Sequence, residues 1–570
     1  MFNPLLMVDG YKLGHHNQYP EGMTYLFSNF TARSNKNFKK IAAAEFLDDF
    51  VVVFGTQATV SYLNEVWEKE FFSKKKEAVV DEFANIVRMF LNDNSFTVEH
   101  AEALHDLGYL PIKFHSLKEG TLCKVNVPFF TLENTHPDFA WLVNYIETQL
   151  SAMLWKPITS ATIARHYKKI LNRYYEKTCD NKMGMEFMVH DFSMRGLSNV
   201  FDAHFSGMGH LTSFSGSDNI PALVGVRKYY GWDIEKEFLA GGVPATEHSV
   251  TSSNIQSFVV TEGCDELEAE KKTIEYLISK YPSGFLSYVS DTYDYYGVIS
   301  EVLPSLKDKL MAREGKFVVR PDSGNPIDII CGLDIPTVGD STAAAWNLYD
   351  QVSCDTPHGE RGEDIVSGVF LINGEYRNIK IVIDWNRYDK QYYYTDGYEI
   401  ISDEVVSLTP EMKGSLRCLW DAFGGTLNEK GYMVLDSHIG IIYGDSITPQ
   451  RMHEILERMK QMGFAASNVV FGAGSFTYQY TTRDTFGMAM KATYCEVNDV
   501  PVKLFKDPKT GDGSKKSAKG MLVVQDGVLV DDMVYGEYLG QKNNLEEINS
   551  TPKDTFDVIR QRINEGLNAS

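Results

Sequence analysis

The chain has 570 residues, 43% of them hydrophobic and 23% charged, the composition of a globular protein too long for one core. Its 55 basic and 77 acidic residues leave a formal charge of −22. That balance excludes non-specific binding to nucleic acid or to acidic membranes, both of which need a basic surface.

The first residues, MFNPLLMVDGYK, meet charge too early for a secretory signal. No uninterrupted apolar run is long enough to span a bilayer. The seven cysteines form no CxxC pair, so reduced thiols and a cytoplasmic location are expected. Helical patterns are read at 42–72 and 76–91, a Gly- and Pro-punctuated β-like segment at 110–133, and a helix at 141–155. Short apolar strands rich in β-branched and aromatic residues are then expected at 187–192, 285–290, 316–320, 439–443 and 468–472. Each is followed within a few residues by Gly, Asp or Ser. A helix is expected at 449–462, with Thr448 as N-cap, Pro449 at the first position and Gly463 past the end. Strand, polar turn and helix in series predict an α/β fold with a parallel sheet or irregular βα barrel, whose ligands bind at the C-terminal strand ends. The block 333–410, with strand-like 368–371 and 379–384 and Tyr388, Tyr392, Tyr393 and Tyr394, reads as a β-rich insertion. Beyond about 499 short strands return, as at 520–530. The expected organisation is a barrel over 157–498, beside a smaller β-rich domain built from 1–156 and 499–570.

Chemistry gathers at the strand ends. VVRPDSGNP delivers Arg320 and Asp322 to one turn, a cation and a carboxylate suited to a phosphorylated sugar and its metal. VSDTYD adds Asp291. HDFSMRG brings Phe192, able to stack on a flat ring, and Arg195, able to grip a phosphate with its planar fork. SFSGSDN places Asp218 in a turn, where an Asp ordinarily caps a helix but could also accept an amide N–H. VPATEHS carries Glu247 and His248, the latter able to act as a nucleophile toward phosphorus. IIYGDS (Gly444, Asp445) and VVFGAGSF (Gly474, Ser475) are glycine-bearing turns whose backbone N–H groups could cradle a phosphate. Arg483, Lys491, Lys506 and Lys515 follow as cations in an acidic chain. Near the N-terminus, Asp9, Tyr11 and Lys12 fall together before a Gly; alone, such a group reads as a solvated turn.

In this order VDGYK, HDF–RG, the GSD turn, VPATEHS, VSDTYD, RPDSGNP, YGD, FGAG, TTRD, MKATY and FKDP resemble the nicotinamide phosphoribosyltransferases over nearly the whole chain. The resemblance implies a type II phosphoribosyltransferase-like barrel and a reaction of nicotinamide with phosphoribosyl pyrophosphate. It implies Phe192 and Tyr11 as the ring sandwich, Tyr11 coming from the second subunit of a homodimer with shared active sites. Asp218 would accept the carboxamide N–H, Arg195, His248 and Arg320 would contact the diphosphate, and Arg320 and Asp322 would lie near the ribose. Gly444, Asp445, Ser475 and Arg483 would hold the 5-phosphate region, with Lys491 and Lys515 adding positive charge. Mg2+ would be held mainly through substrate phosphates, and ATP would phosphorylate His248 to couple hydrolysis to synthesis. The family's FGSGGG run is FGAGSF here, a departure that matters if the loop needs positive φ. Gly242 and Ala489 stand where the family carries Ser.

Three alternatives follow from the same residues. A nicotinate phosphoribosyltransferase shares the fold and donor, but an ionised Asp218 would repel nicotinate's carboxylate. A catalytically inactive binding or signalling relative would not need His248, Arg320, Asp322 and Asp445 intact. A barrel glycosidase using Asp291 and Asp322 as its acid pair leaves the cations without a role.

Overall fold

Strands from both ends of the chain pair into one antiparallel sheet. Its order is Val500–Lys503, Ala489–Val497, Met23–Thr31, Pro128–Asn134, Ile112–Ser116 and Glu546–Ile548. One of its strands, Ala489–Val497, falls inside the span 157–498 read as the barrel. A computed structural model describes residues 2–355, 363–384, 386–387, 393–394, 397–444, 447–507 and 517–568. Asp445, Lys515, Tyr388 and Tyr392 lie outside the described residues. By its internal contacts the chain divides into two compact units, Met1–Val243 with Tyr443–Leu456 and Val469–Ser570, and Pro244–Ile442 with Glu457–Asn468.

In the first unit the helix expected at 42–72 forms only as Thr56–Trp67, with a π-helical turn, Glu68–Phe72, after it. The preceding chain is claimed by the strand Phe50–Val52, which pairs with Leu122–Lys124. Gly55, at φ +80°, turns between strand and helix where a side chain would be strained and would collide with Pro157. The helix expected at 141–155 starts as a short turn, Leu142–Tyr145, and then runs as Glu147–Thr178, straight through Pro157. A proline costs a helix one backbone hydrogen bond and a clash. Here burial of Leu150, Leu154, Ile158, Ala161 and Ile170 on the same helix outweighs that cost. Val52, Phe54, Ala161, Phe205, Met208, Leu211, Tyr229, Phe556 and Ile559 form a core that also locks in the C-terminal helix Phe556–Asn568. Three short parallel strands carry the turns of interest: Gly216–Ser217 beside Val189–Asp191, itself beside Val469–Ala473.

The second unit repeats that parallel arrangement. Leu286–Val289 pairs with Phe317–Arg320, which pairs with residues 439–441 of Ile439–Tyr443. All four residues of Leu286–Val289 are buried, as the continuous apolar reading implied. The helices His248–Glu262 and Glu266–Lys280 precede them, the latter capped by Asp265, whose side chain accepts the Glu268 N–H. The block 333–410 contains a four-stranded sheet, in the order Thr337–Val338, Glu363–Ile372, Glu375–Asp384 and Tyr398–Val405, against the helix Ser341–Asp355. Its central hairpin turns on Asn373 and Gly374, both at positive φ, the pair a two-residue turn favours. Ala344, Ala345, Leu348, Phe370, Ile372, Ile379, Ile381 and Ile383 give it a core of its own. The helix expected at 449–462 forms as Pro449–Gln461.

Candidate functional site

The first unit gathers a flat-ring pocket where its parallel strands end. Asp191 is fully buried; its Oδ1 accepts the Ser193 N–H at 2.9 Å and the Ser193 hydroxyl at 2.6 Å, and Asn219 Nδ2 donates to Oδ2 at 3.2 Å. The Phe192 N–H donates to the Ala473 carbonyl at 3.0 Å. These bonds fix the turn that presents Phe192. Phe192, Arg195, Leu197, Asn199, Val200 and Asp218 line a cavity of about 490 Å3. Asp218 is held at its backbone, where its N–H donates to the Asp191 carbonyl at 3.0 Å. It does not cap the following helix Ile220–Tyr230, whose N-cap residue is Asn219. Its side chain, 51% exposed, accepts from His190 Nε2 at 2.9 Å.

The glycine-bearing loop approaches the same place. A Cβ on Gly472 would stand 2.6 Å from Gly444 Cα and 2.8 Å from Phe192, so glycine at 472 lets backbone pass close to the ring. Ala473, Ser475 and Phe476 are absent from the residues at positive φ. The FGAGSF sequence is therefore compatible with its backbone, and Gly474 caps the short helix Ser475–Gln479 in an extended conformation.

A second set of groups in this unit is cationic. The Lys491 ammonium is pushed down by burial and by Arg33, Lys506 and Arg483, against the pull of Glu147. Arg33 is pushed down by burial and by Arg483. The four cations are partly balanced by acids, since Arg483 pairs with Asp484 at 3.3 Å and Glu147 acts on Lys491. Sequence reasoning missed Arg33, which follows the strand Met23–Thr31. Only the pairing of Asn29 with Lys491 and of Thr31 with Ala489 brings it to the others. Tyr11 belongs with this group: Asp9, Glu147 and Arg483 all act on its hydroxyl. Its ring is 66% exposed and lies 5.5 Å from that of His15. Lys12 is instead structural, donating to the Asn144 carbonyl at 2.7 Å and pairing with Glu147 at 2.9 Å.

The second unit gathers His248, Asp291, Arg320 and Asp322. The Asp291 side chain is only 5% exposed. Its Oδ2 accepts the Asp322 N–H at 2.8 Å and the Ser323 hydroxyl at 2.7 Å. Its Oδ1 is buried without a hydrogen-bond partner and lies 3.8 Å from His248 Nε2. The other ring nitrogen of His248 is 3.2 Å from the Thr292 hydroxyl. The neighbouring Glu247, by contrast, engages Ser249, so the carboxylate that faces the imidazole comes from the next strand and not from the adjacent residue. Arg320 Nη2 donates to the Thr246 carbonyl at 2.6 Å, its backbone N–H donates to the Ser290 hydroxyl at 3.1 Å, and its Nε is buried without a partner. Behind them Glu270 receives the Tyr288 hydroxyl at 3.0 Å; burial, then Asp294 and Asp291, push its carboxyl up to about 7. An orphaned carboxylate oxygen and an orphaned guanidinium N–H in one unit leave capacity for both signs of a metal–phosphate ligand. Among the described residues no cluster of three or more His, Cys, Asp or Glu is arranged to hold a metal by itself.

The model of the nicotinate phosphoribosyltransferase (NAPRTase) family matches residues 187–360 and 379–557. A nicotinamide phosphoribosyltransferase of Acinetobacter baylyi is 39% identical, over 99% of this chain and 98% of its own. One from Mycoplasma pneumoniae is 31% identical, over 90% and 94%. Among solved structures, human nicotinic acid phosphoribosyltransferase aligns over 99% of this chain and 94% of its own, with 13% identity and a TM-score of 0.45.

Proposed function

This chain belongs to the nicotinate phosphoribosyltransferase family, and we propose that it transfers the phosphoribosyl group of phosphoribosyl pyrophosphate to nicotinamide, releasing pyrophosphate and forming nicotinamide mononucleotide for NAD salvage. The observation that carries the choice of acceptor is Asp218. A carboxylate at the wall of the Phe192 cavity offers only acceptors, which suits a carboxamide N–H and opposes a second carboxylate.

In the reaction the pyridine nitrogen attacks the anomeric carbon, the new C–N bond forms, and the C1–O bond to pyrophosphate breaks with its electron pair leaving on oxygen. Phe192 holds the ring plane while Asp218 sets its rotation. Arg195 and Arg320 take the charge that grows on the leaving group, and Asp322 faces the positive sugar. Mg2+, bound mainly through the substrate phosphates, would neutralise the diphosphate, and Asp291 and Asp322 would be the carboxylates available to it from the protein. Gly444, Asp445, Gly474 and Ser475 receive the 5-phosphate region. Arg483 joins them there, Lys491 and Lys515 add positive charge, and Tyr11, from the second copy of a homodimer, closes the ring sandwich.

ATP acts as a coupling substrate: an imidazole nitrogen of His248 takes its γ-phosphoryl group and ADP leaves, after which water cleaves the N–P bond. The approach of Asp291 to His248, 3.8 Å from Nε2, supports this role, since a neighbouring carboxylate can orient the ring of a nucleophilic imidazole. No described helix is long and apolar enough to cross a membrane. The test is an assay of the purified chain with phosphoribosyl pyrophosphate and Mg2+, offering nicotinamide and nicotinate in parallel. Mononucleotide from nicotinamide is expected. Product from nicotinate alone would reassign the acceptor, and none from either would leave a binding protein.

A further inference from the structure

We infer that His190 is the positioning residue that makes Asp218 a reader of the carboxamide; this rests on the proposed use of nicotinamide. Asp218 sits in a turn with half of its side chain in solvent, so by itself it would sample several rotamers. His190 removes that freedom. Its side chain is 10% exposed, anchored on the buried strand Val189–Asp191, and its Nε2 lies 2.9 Å from Asp218 Oδ1. An ionised carboxylate can only accept, so the bond requires the proton on Nε2. One oxygen of Asp218 is thereby committed to the protein, and Oδ2 is the one left for a ligand.

The backbone around the pair is cut to fit it. A Cβ on Gly216 would stand 2.8 Å from His190 Nδ1, and one on Gly242 would stand 3.0 Å from Asp218 Oδ1. Glycine at both positions makes room for the imidazole and the carboxylate to meet. The His190 ring also lies 4.6 Å from that of Phe192, tilted by 35°. The same imidazole therefore touches the stacking ring and the acceptor, and sets their mutual geometry. The carboxylate then meets the edge of the pyridine ring at one rotation. There an amide donates an N–H, while a carboxylate substituent brings oxygen against oxygen.

The experiment compares kcat/KM for nicotinamide and nicotinate in the full chain and in two variants. His190→Phe keeps a flat ring and deletes the donor. His190→Gln places an amide N–H near the position of Nε2 and restores it. The nicotinamide-to-nicotinate ratio should fall at least about tenfold in His190→Phe, the order expected for one lost charge-assisted hydrogen bond. His190→Gln should stay within about threefold of the parent, with the KM for phosphoribosyl pyrophosphate unchanged in both. An unchanged ratio in a folded His190→Phe overturns the inference. So does an equal loss for both acceptors with a raised KM for the donor in both variants, which is the mark of a merely structural histidine. Should His190→Phe not fold, His190→Met carries the same comparison. A parent that makes no mononucleotide from nicotinamide fails the proposed function itself, whereas a parent that makes it while His190→Phe keeps its ratio fails His190 alone.

Discussion

Asp218 and Asp291 each follow a short parallel strand, and their surroundings have opposite character. Asp218 is half exposed on a cavity, with one oxygen bonded to His190 and the other open to a ligand. Asp291 is almost fully buried; one oxygen accepts two donors from the next strand's turn, and the other is an orphan near His248. A carboxylate that opens on a pocket can discriminate between neutral and anionic ligands at small cost. One that is buried with an unmet oxygen leaves a polar group that a donor or a cation has still to satisfy.

The sharpest way to break this contrast is Arg320→Ala. If the second unit holds the diphosphate, kcat/KM for phosphoribosyl pyrophosphate should fall by roughly a hundred- to thousandfold, the usual loss for one preorganised charge contact. A parent-like thermal midpoint would show that the lost Thr246 contact is not the cause. His248→Ala should keep transfer measurable and abolish stimulation by ATP, read as product formed with and without ATP; an equal response in parent and variant would remove His248 from the coupling step. On the other side of the comparison, Phe192→Leu should raise the KM for nicotinamide by roughly three- to tenfold, since aromatic stacking adds about 0.5–1.5 kcal/mol beyond area burial. The KM for the donor should not move.

A separate effect, on stability, concerns Glu270. Its ordinary value is 4.5 and burial, Asp294 and Asp291 raise it to about 7 in the folded chain. Between those values the native state holds a proton that the unfolded chain has released, so the group's contribution to stability falls as pH rises through that window and is flat above it. Glu270→Gln keeps an acceptor for the Tyr288 hydroxyl and removes the charge. Denaturant melts at pH 5 and pH 8 should show the variant gaining on the parent by roughly 1–3 kcal/mol at the higher pH. No change in the difference between the two pH values would mean that burial does not hold the Glu270 carboxyl above its ordinary value.

Local pattern carried much of this protein. The strands at 439–443 and 316–320, the capped helix at 449–461 and the strand-end positions of Phe192, Asp218, Asp291 and Arg320 all follow from short apolar runs interrupted by Gly, Asp or Arg, because a strand buried on both faces writes itself as an unbroken apolar word. The role proposed for Asp218, an acceptor of an amide N–H, likewise comes from a reading of chemistry alone. Other features exist only once the chain has folded. The helix Glu147–Thr178 crosses Pro157 because its flanks are buried, and the pattern at 42–72 is cut by a strand whose partner lies at 122–124. Arg33 joins Arg483 and Lys491, far away in sequence, by strand pairing. Asp291, not the adjacent Glu247, faces His248, and His190 holds Asp218 across 28 residues. Residue type and spacing determine which groups stand at strand ends, since burial and periodicity are local. Which group faces which is decided by register and turn direction, and those are properties of the packed chain.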